Sequence, residues 1–211
     1  MPESKARPEF LGMDQVSAGW LNKYVMHYRM PNGSVHDYES VSRKKADVYG
    51  ANLVAETPDK PQSDAVCIVG MTAEGAFLMT REFRFPMNRD CVQFPAGLLE
   101  PGEDIVECAS RELREETGYD ISRNADGTPV MLRYFEQPAY SSLGMGDESI
   151  AMVFTQVEKV EEASPEPTEF IDVFELPRED VARFLKENRD PISIRVQLVL
   201  GMVVFNPFTK E

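Results

Sequence analysis

Apolar and polar positions change period several times along the chain, and each change marks an element. Residues 1 to about 17 are polar and read as a frayed end. The aromatic-rich run WLNKYVMHY, residues 20–28, predicts a strand. Pro31-Asn32-Gly33 predicts a hairpin turn, with residues 35–41 as the partner strand. A two-stranded hairpin is marginal in water, so this one must add a third strand, pack on the rest of the chain or lean on another subunit. Residues 57–64, TPDKPQSD, are polar and Pro-rich and place a boundary between an arm, 1–58, and a main domain, 59–211.

Beyond that boundary, residues 65–71 and 76–84 flank Ala73-Glu74-Gly75 as a second hairpin, and residues 91–94 form a short strand. From about Glu103 the period lengthens to that of a helix. Val106, Ala109 and Leu113 form its apolar stripe, and Gly118 ends it. Residues 130–135 and 150–157 alternate as strands around a Gly- and Ser-rich loop, 141–149. Residues 170–176 make a last strand. Pro177 opens a helix with Val181, Phe184 and Leu185 on its apolar face, and residues 192–205 read as a buried helix. Strands on both sides of one central helix, with helices at the end, predict an α/β fold with a mixed sheet between helical layers.

Composition narrows the function. The 211 residues are 42% hydrophobic and 27% charged, ordinary for a chain with a real core. The net charge of −14 repels nucleic acid and anionic membranes, and no basic patch offsets it. Any phosphate-bearing substrate must be met by metal and a few placed arginines. Neither a signal-peptide run nor a stretch of about 20 apolar residues is present, and the three cysteines are scattered. These features predict a cytoplasmic protein with free thiols and no membrane partner.

Candidate chemistry concentrates in residues 97–119, GLLEPGEDIVECASRELREETGY. At about 100° per residue, Glu112, Glu115 and Glu116 share roughly a third of the helix circumference. Arg111 precedes Glu115 by one turn and can pair with it. Three carboxylates on one face repel one another unless something compensates, and a hard divalent cation that takes oxygen ligands would do so. A solvated acidic face is the alternative for an arbitrary Glu-rich helix.

The spacing argues for the cation. The stretch fits G-x5-E-x7-R-E-U-x-E-E-x-G-U, where U is a bulky apolar residue, departing only at Tyr119. It resembles the Nudix box, and the resemblance implies an α/β/α sandwich with a mixed sheet plus a small N-terminal β arm. It also implies hydrolysis of a nucleoside diphosphate linked to another group. Outside the box, Trp20-Leu21, the PNG turn and Tyr38-Glu39-Ser40-Val41-Ser42-Arg43 resemble the dimerising arm of the ADP-ribose pyrophosphatase group. Arg81-Glu82-Phe83-Arg84 and Gln93-Phe94-Pro95-Ala96-Gly97 resemble its Q-F-R and E-L/F-P-A-G segments. Gln93 replaces the usual acid, a change expected to alter a contact to the substrate. Pro138 and the loop to Asp147-Glu148 resemble its proline marker and catalytic-glutamate loop.

The resemblance implies Mg2+, or Mn2+ in its place, on Glu112, Glu116 and the Ala96 carbonyl, with Glu115 as ligand or neighbour. Arg111 holds Glu115, and Glu103 locks loop to helix. Glu148 is the expected base, with Asp147 as fallback. Trp20 and Tyr38 stack on the adenine, while Arg43 and Arg84 grip phosphates. The expected reaction converts ADP-ribose and water to AMP and ribose 5-phosphate in a homodimer. UDP-glucose, GDP-mannose and dinucleotides are alternative substrates. A non-catalytic ADP-ribose sensor is a further alternative, disfavoured by the complete set of box acids.

Overall fold

The computed structural model describes residues 6–55 and 62–205. In chain order the first elements are strands β1 (Glu9–Ser17), β2 (Asn22–Arg29) and β3 (Val35–Ser42), then helix α1 (Ala46–Val54). Next come β4 (Ala65–Met71), β5 (Phe77–Arg84), β6 (Arg89–Gln93), β7 (Ala96–Leu98), α2 (Ile105–Thr117) and β8 (Tyr119–Ile121). The chain continues with β9 (Leu132–Tyr134), β10 (Ala139–Tyr140), β11 (Ser149–Lys159), β12 (Ile171–Leu176), α3 (Val181–Glu187) and α4 (Ile194–Val204). It divides into two compact units. One is the chain up to Gln62 with Gln137–Ile150; the other is Ser63–Glu136 with the chain from Ala151. Residues 57–61 of the expected linker lie outside the described residues.

The first unit is an antiparallel sheet in the order β1-β2-β3, with α1 and the loop carrying β10. β2 and β3 pair from Asn22↔Ser42 to Arg29↔Val35. Their turn is closed by Gly33, whose φ of 86° suits a residue without Cβ. Tyr24 and Met26 point to the buried face. The opposite face carries ion pairs across the strands, including Lys23–Glu39 and Arg29–Glu9.

One reading is corrected here, and one helix is new. Residues 9–17 are not a frayed end but the strand that completes the sheet. Phe10 packs on Tyr28, with ring centroids 5.5 Å apart. Polar residues and two register shifts, one at Gly12, hide the alternation. Helix α1, unforeseen, buries only Tyr49, so its apolar residues form no continuous stripe.

The second unit is built on a sheet containing β11-β4-β5-β12 in that order, the mixed α/β architecture expected. β4 is buried along almost its whole length, as a strand covered on both faces must be. On one face Val66 and Ile68 join Leu78, Val153 and Val157 against Cys108, Ala109 and Leu113 of α2. On the other, the Cys67 thiol meets Arg195 of α4. α4 is apolar on both faces and not fully buried. Val196 and Leu200 face inward, whereas Ile194, Leu198 and Met202 are exposed. No helix among the described residues is long and apolar enough to cross a membrane.

Candidate active site

The site in the second unit begins with how α2 starts and stops. Asp104 accepts hydrogen bonds from Val106 N (2.7 Å) and Glu107 N (2.9 Å), while the Glu107 carboxylate reaches back to Asp104 N. This capping box fixes the first turn and therefore the rotation of every later side chain. Gly118 ends the helix at φ 72°, where a Cβ would lie 2.2 Å from the Glu161 carbonyl. Between those limits, one face of α2 enters the core and the adjoining face presents Glu112 and Glu116 to strand β7.

β7 lies beside β4, pairing Cys67↔Ala96 and Val66↔Gly97. The absence of a side chain at Gly97 is what admits Glu112. A Cβ there would lie 1.9 Å from the Glu112 carboxyl carbon and 2.0–2.2 Å from its oxygens. Glu116 is 4% exposed and accepts from Ala96 N at 3.1 Å. Burial, and then the Glu112 charge, push its carboxyl well above the usual carboxylate range, against the Ala96 N–H. Burial also raises Glu112, with Arg111 opposing the shift. Glu82 and Glu169 add negative field at Glu116.

Arg111 organises the neighbouring acids. Its Nε and Nη2 grip both oxygens of Glu103 at 2.8 and 2.9 Å, and Nη2 also donates to the Leu98 carbonyl. Its Nη1 donates to Glu112 (2.8 Å) and Glu115 (3.1 Å). The bidentate Glu103 bond, followed by the Glu100 N–H, holds the Glu103 carboxyl down to about 2 despite its burial. Glu103 therefore locks the loop to the helix, and Arg111 aims Glu112.

Among the described residues no three carboxylate, imidazole or thiol groups converge as a ready metal cluster. The reason is visible in Glu115, whose half-exposed carboxylate turns outward to Arg111. The donors that do converge are two buried carboxylates next to β7 backbone. That all-oxygen, anionic set, destabilised by its own repulsion, fits a hard divalent cation better than it fits nothing. Arg84 also belongs to this unit and is half-exposed, with Nη1 on Glu82 at 2.8 Å.

The model of the NUDIX domain matches residues 61–196, from before β4 into α4. The chain belongs to the Nudix hydrolase family. This Nudix chain is 30% identical over 183 residues to an ADP-ribose pyrophosphatase of Bacillus subtilis (strain 168), covering 85% of this chain and 83% of that protein. It is 32% identical over 127 residues to a methanol dehydrogenase activator of Bacillus methanolicus, covering 59% of this chain and 64% of that protein. A crystal structure of an ADP compounds hydrolase shares the fold, with TM-score 0.69 at 19% identity, 96% of this chain and 94% of that one.

The remaining candidates of this Nudix protein lie in the first unit. Trp20 sits on the β1–β2 turn and is 75% exposed. Tyr38 donates its hydroxyl to the Gly144 carbonyl at 2.8 Å. Arg43 is paired with Glu148, and Lys44 with Asp147 at 2.8 Å. The structure thus brings one expected phosphate ligand onto the expected base. The loop holding Glu148 is stitched to β3, because Val41 N donates to Met145 O at 2.9 Å and Ser40 Oγ to the same carbonyl.

Sequence reasoning passed over Asn22. Its buried amide donates to the carbonyls of Ser42 and Lys44 and accepts from Gly19 N, so it ties the Trp20 turn to the start of the Arg43 segment. The only sequence signal was a polar residue at an inward position of β2. Gly97 was used as a motif letter, and its physical reason, the space for Glu112, emerges only from the packing.

Proposed function

We propose that the protein hydrolyses the diphosphate bridge of ADP-ribose with Mg2+, giving AMP and ribose 5-phosphate. The observation that carries the reading is the buried pair Glu112 and Glu116 beside the side-chain-free Gly97. Two carboxylates held this close are stable as a pair only with a cation or a shared proton.

Glu112, Glu116 and the Ala96 carbonyl would hold Mg2+, with Mn2+ as an alternative. When bound, such an ion neutralises phosphate charge, orients the bridge and acidifies water. Arg111 keeps Glu112 in its rotamer and leaves Glu115 as an outer neighbour. Arg84 contributes donors to a phosphate oxygen, as does Arg43 once it releases Glu148. Glu148 then accepts the proton of the attacking water, whose oxygen bonds to phosphorus as the bridging P–O bond breaks. Trp20 and Tyr38 provide π faces for the adenine, each contributing about 1–3 kcal/mol by analogy with base stacking. The N-terminal arm, residues 1–58, is the expected dimerisation element.

The test is a substrate panel of ADP-ribose, UDP-glucose, GDP-mannose and dinucleotides, assayed with Mg2+ for monoester products. ADP-ribose should give the highest kcat/KM, and Glu116→Gln should lose turnover by orders of magnitude while staying folded. A higher kcat/KM for another nucleotide sugar, or near-normal rates in Glu116→Gln, would overturn the reading.

A further inference from the structure

Glu82 and Gln93 stand on neighbouring strands and form one unit in the fold. β5 and β6 are antiparallel, with Thr80 opposite Gln93 and Glu82 opposite Cys91. Positions 80 and 82 share a face, as do 91 and 93, so Glu82 and Gln93 are diagonal neighbours on the same side of the ladder. Their side chains meet, with Gln93 Nε2 donating to Glu82 Oε2. The contact joins an acid on β5 to an amide on β6.

We propose that Glu82 is a positioning residue for substrate binding, whose buried carboxylate on β5 aims Arg84. Glu82 Oε1 accepts from Arg84 Nη1 at 2.8 Å while Oε2 is occupied by Gln93. Glu82 is 8% exposed, and a carboxylate removed from water needs both partners. Arg84 is half-exposed, so Glu82 fixes one end of a guanidinium whose remaining donors stay available to an anion. The Glu82 charge also acts at Glu116, so the anchor of Arg84 shares the field of the proposed diphosphate site. An amide pair would satisfy the β5–β6 contact equally well. The charge on Glu82 is needed only to orient Arg84.

This inference rests on the diphosphate-cleaving reading, and its test separates the two. Glu82→Gln, Gln93→Glu and the reciprocal double variant are compared by ADP-ribose calorimetry in metal-free buffer, where nothing is turned over. KM and kcat with Mg2+ and the melting temperature follow. Glu82→Gln should weaken binding and raise KM by about tenfold, with kcat within about twofold, because a charge-assisted bond to Arg84 becomes a neutral one. The reciprocal variant keeps an acid–amide contact between the strands but leaves the amide beside Arg84, so it should bind as weakly as Glu82→Gln. In an Arg84→Gln background, Glu82→Gln should add almost nothing. Wild-type affinity in Glu82→Gln, full recovery in the reciprocal variant, or a full additional loss on Arg84→Gln would each overturn the inference. A wild-type chain that leaves ADP-ribose uncut would instead overturn the functional reading.

Discussion

Replacing Gly97 by alanine separates the geometry of the acid pair from the stability of the fold. The added methyl would begin 1.9 Å from the Glu112 carboxyl carbon, whereas ordinary contact starts near 3.4 Å. The carboxylate must therefore withdraw by about 1.5 Å. The obstacle is the end of a flexible side chain and not backbone, so the helix need not move. Gly97 lies in β7 with a φ that any residue adopts, and loss of glycine's freedom in the unfolded chain favours the variant by about 0.4–1 kcal/mol. Displacements of about 1 Å in a catalytic group cost roughly a hundredfold. Gly97→Ala should thus lower kcat for ADP-ribose by about two orders of magnitude, while its melting temperature stays level or rises slightly. Steady-state product release and a thermal melt on the same preparation check both halves. A kcat within about threefold of wild type would refute the claim that Glu112 must occupy the space beside Gly97. A collapse in stability would show that the glycine serves the fold.

Three further outcomes are expected. Glu148→Gln should lower kcat by about a hundredfold with KM unchanged, as measured by initial rates; an unaltered kcat excludes Glu148 as base. Trp20→Ala should raise KM by about tenfold or more without changing the melting temperature, because the ring is exposed and contributes little to folding. An unchanged KM with a lost dimer, by sedimentation, would assign the ring to assembly. The Glu103 carboxyl is held at about 2 against an ordinary 4.5, so its stabilisation is complete above 4.5 and disappears as pH falls through about 2. Melting temperature should consequently fall more steeply across that window in the wild type than in Glu103→Gln, and parallel curves would contradict the lock.

What the sequence exposes, and what it conceals, follows from which forces are local. The period of α2, its start near Glu103 and its Gly118 stop are set by residues within one turn of each other, and they were legible, although the Asp104 cap was not singled out. The PNG hairpin was legible for the same reason. Strand β1 was not, because its reason to be ordered is the edge of β2, and a bulged edge strand has little alternation of its own. The exposed face of α4 was misread because a run of apolar residues fixes a helix without saying how much of it is covered.

The site divides along the same line. The helix acids announce themselves by spacing and are aimed locally by Arg111, but the loop acids are held by contact across long stretches of chain. Arg43 meets Glu148 and Lys44 meets Asp147 over more than a hundred residues. Gln93 meets Glu82 only because two strands run antiparallel. A motif therefore identifies which groups do chemistry, while the residues that set their angles look ordinary. Gly97 is the instructive exception. It is a motif letter whose role is to be absent, and the space it leaves is as much a part of the site as the carboxylate that enters it.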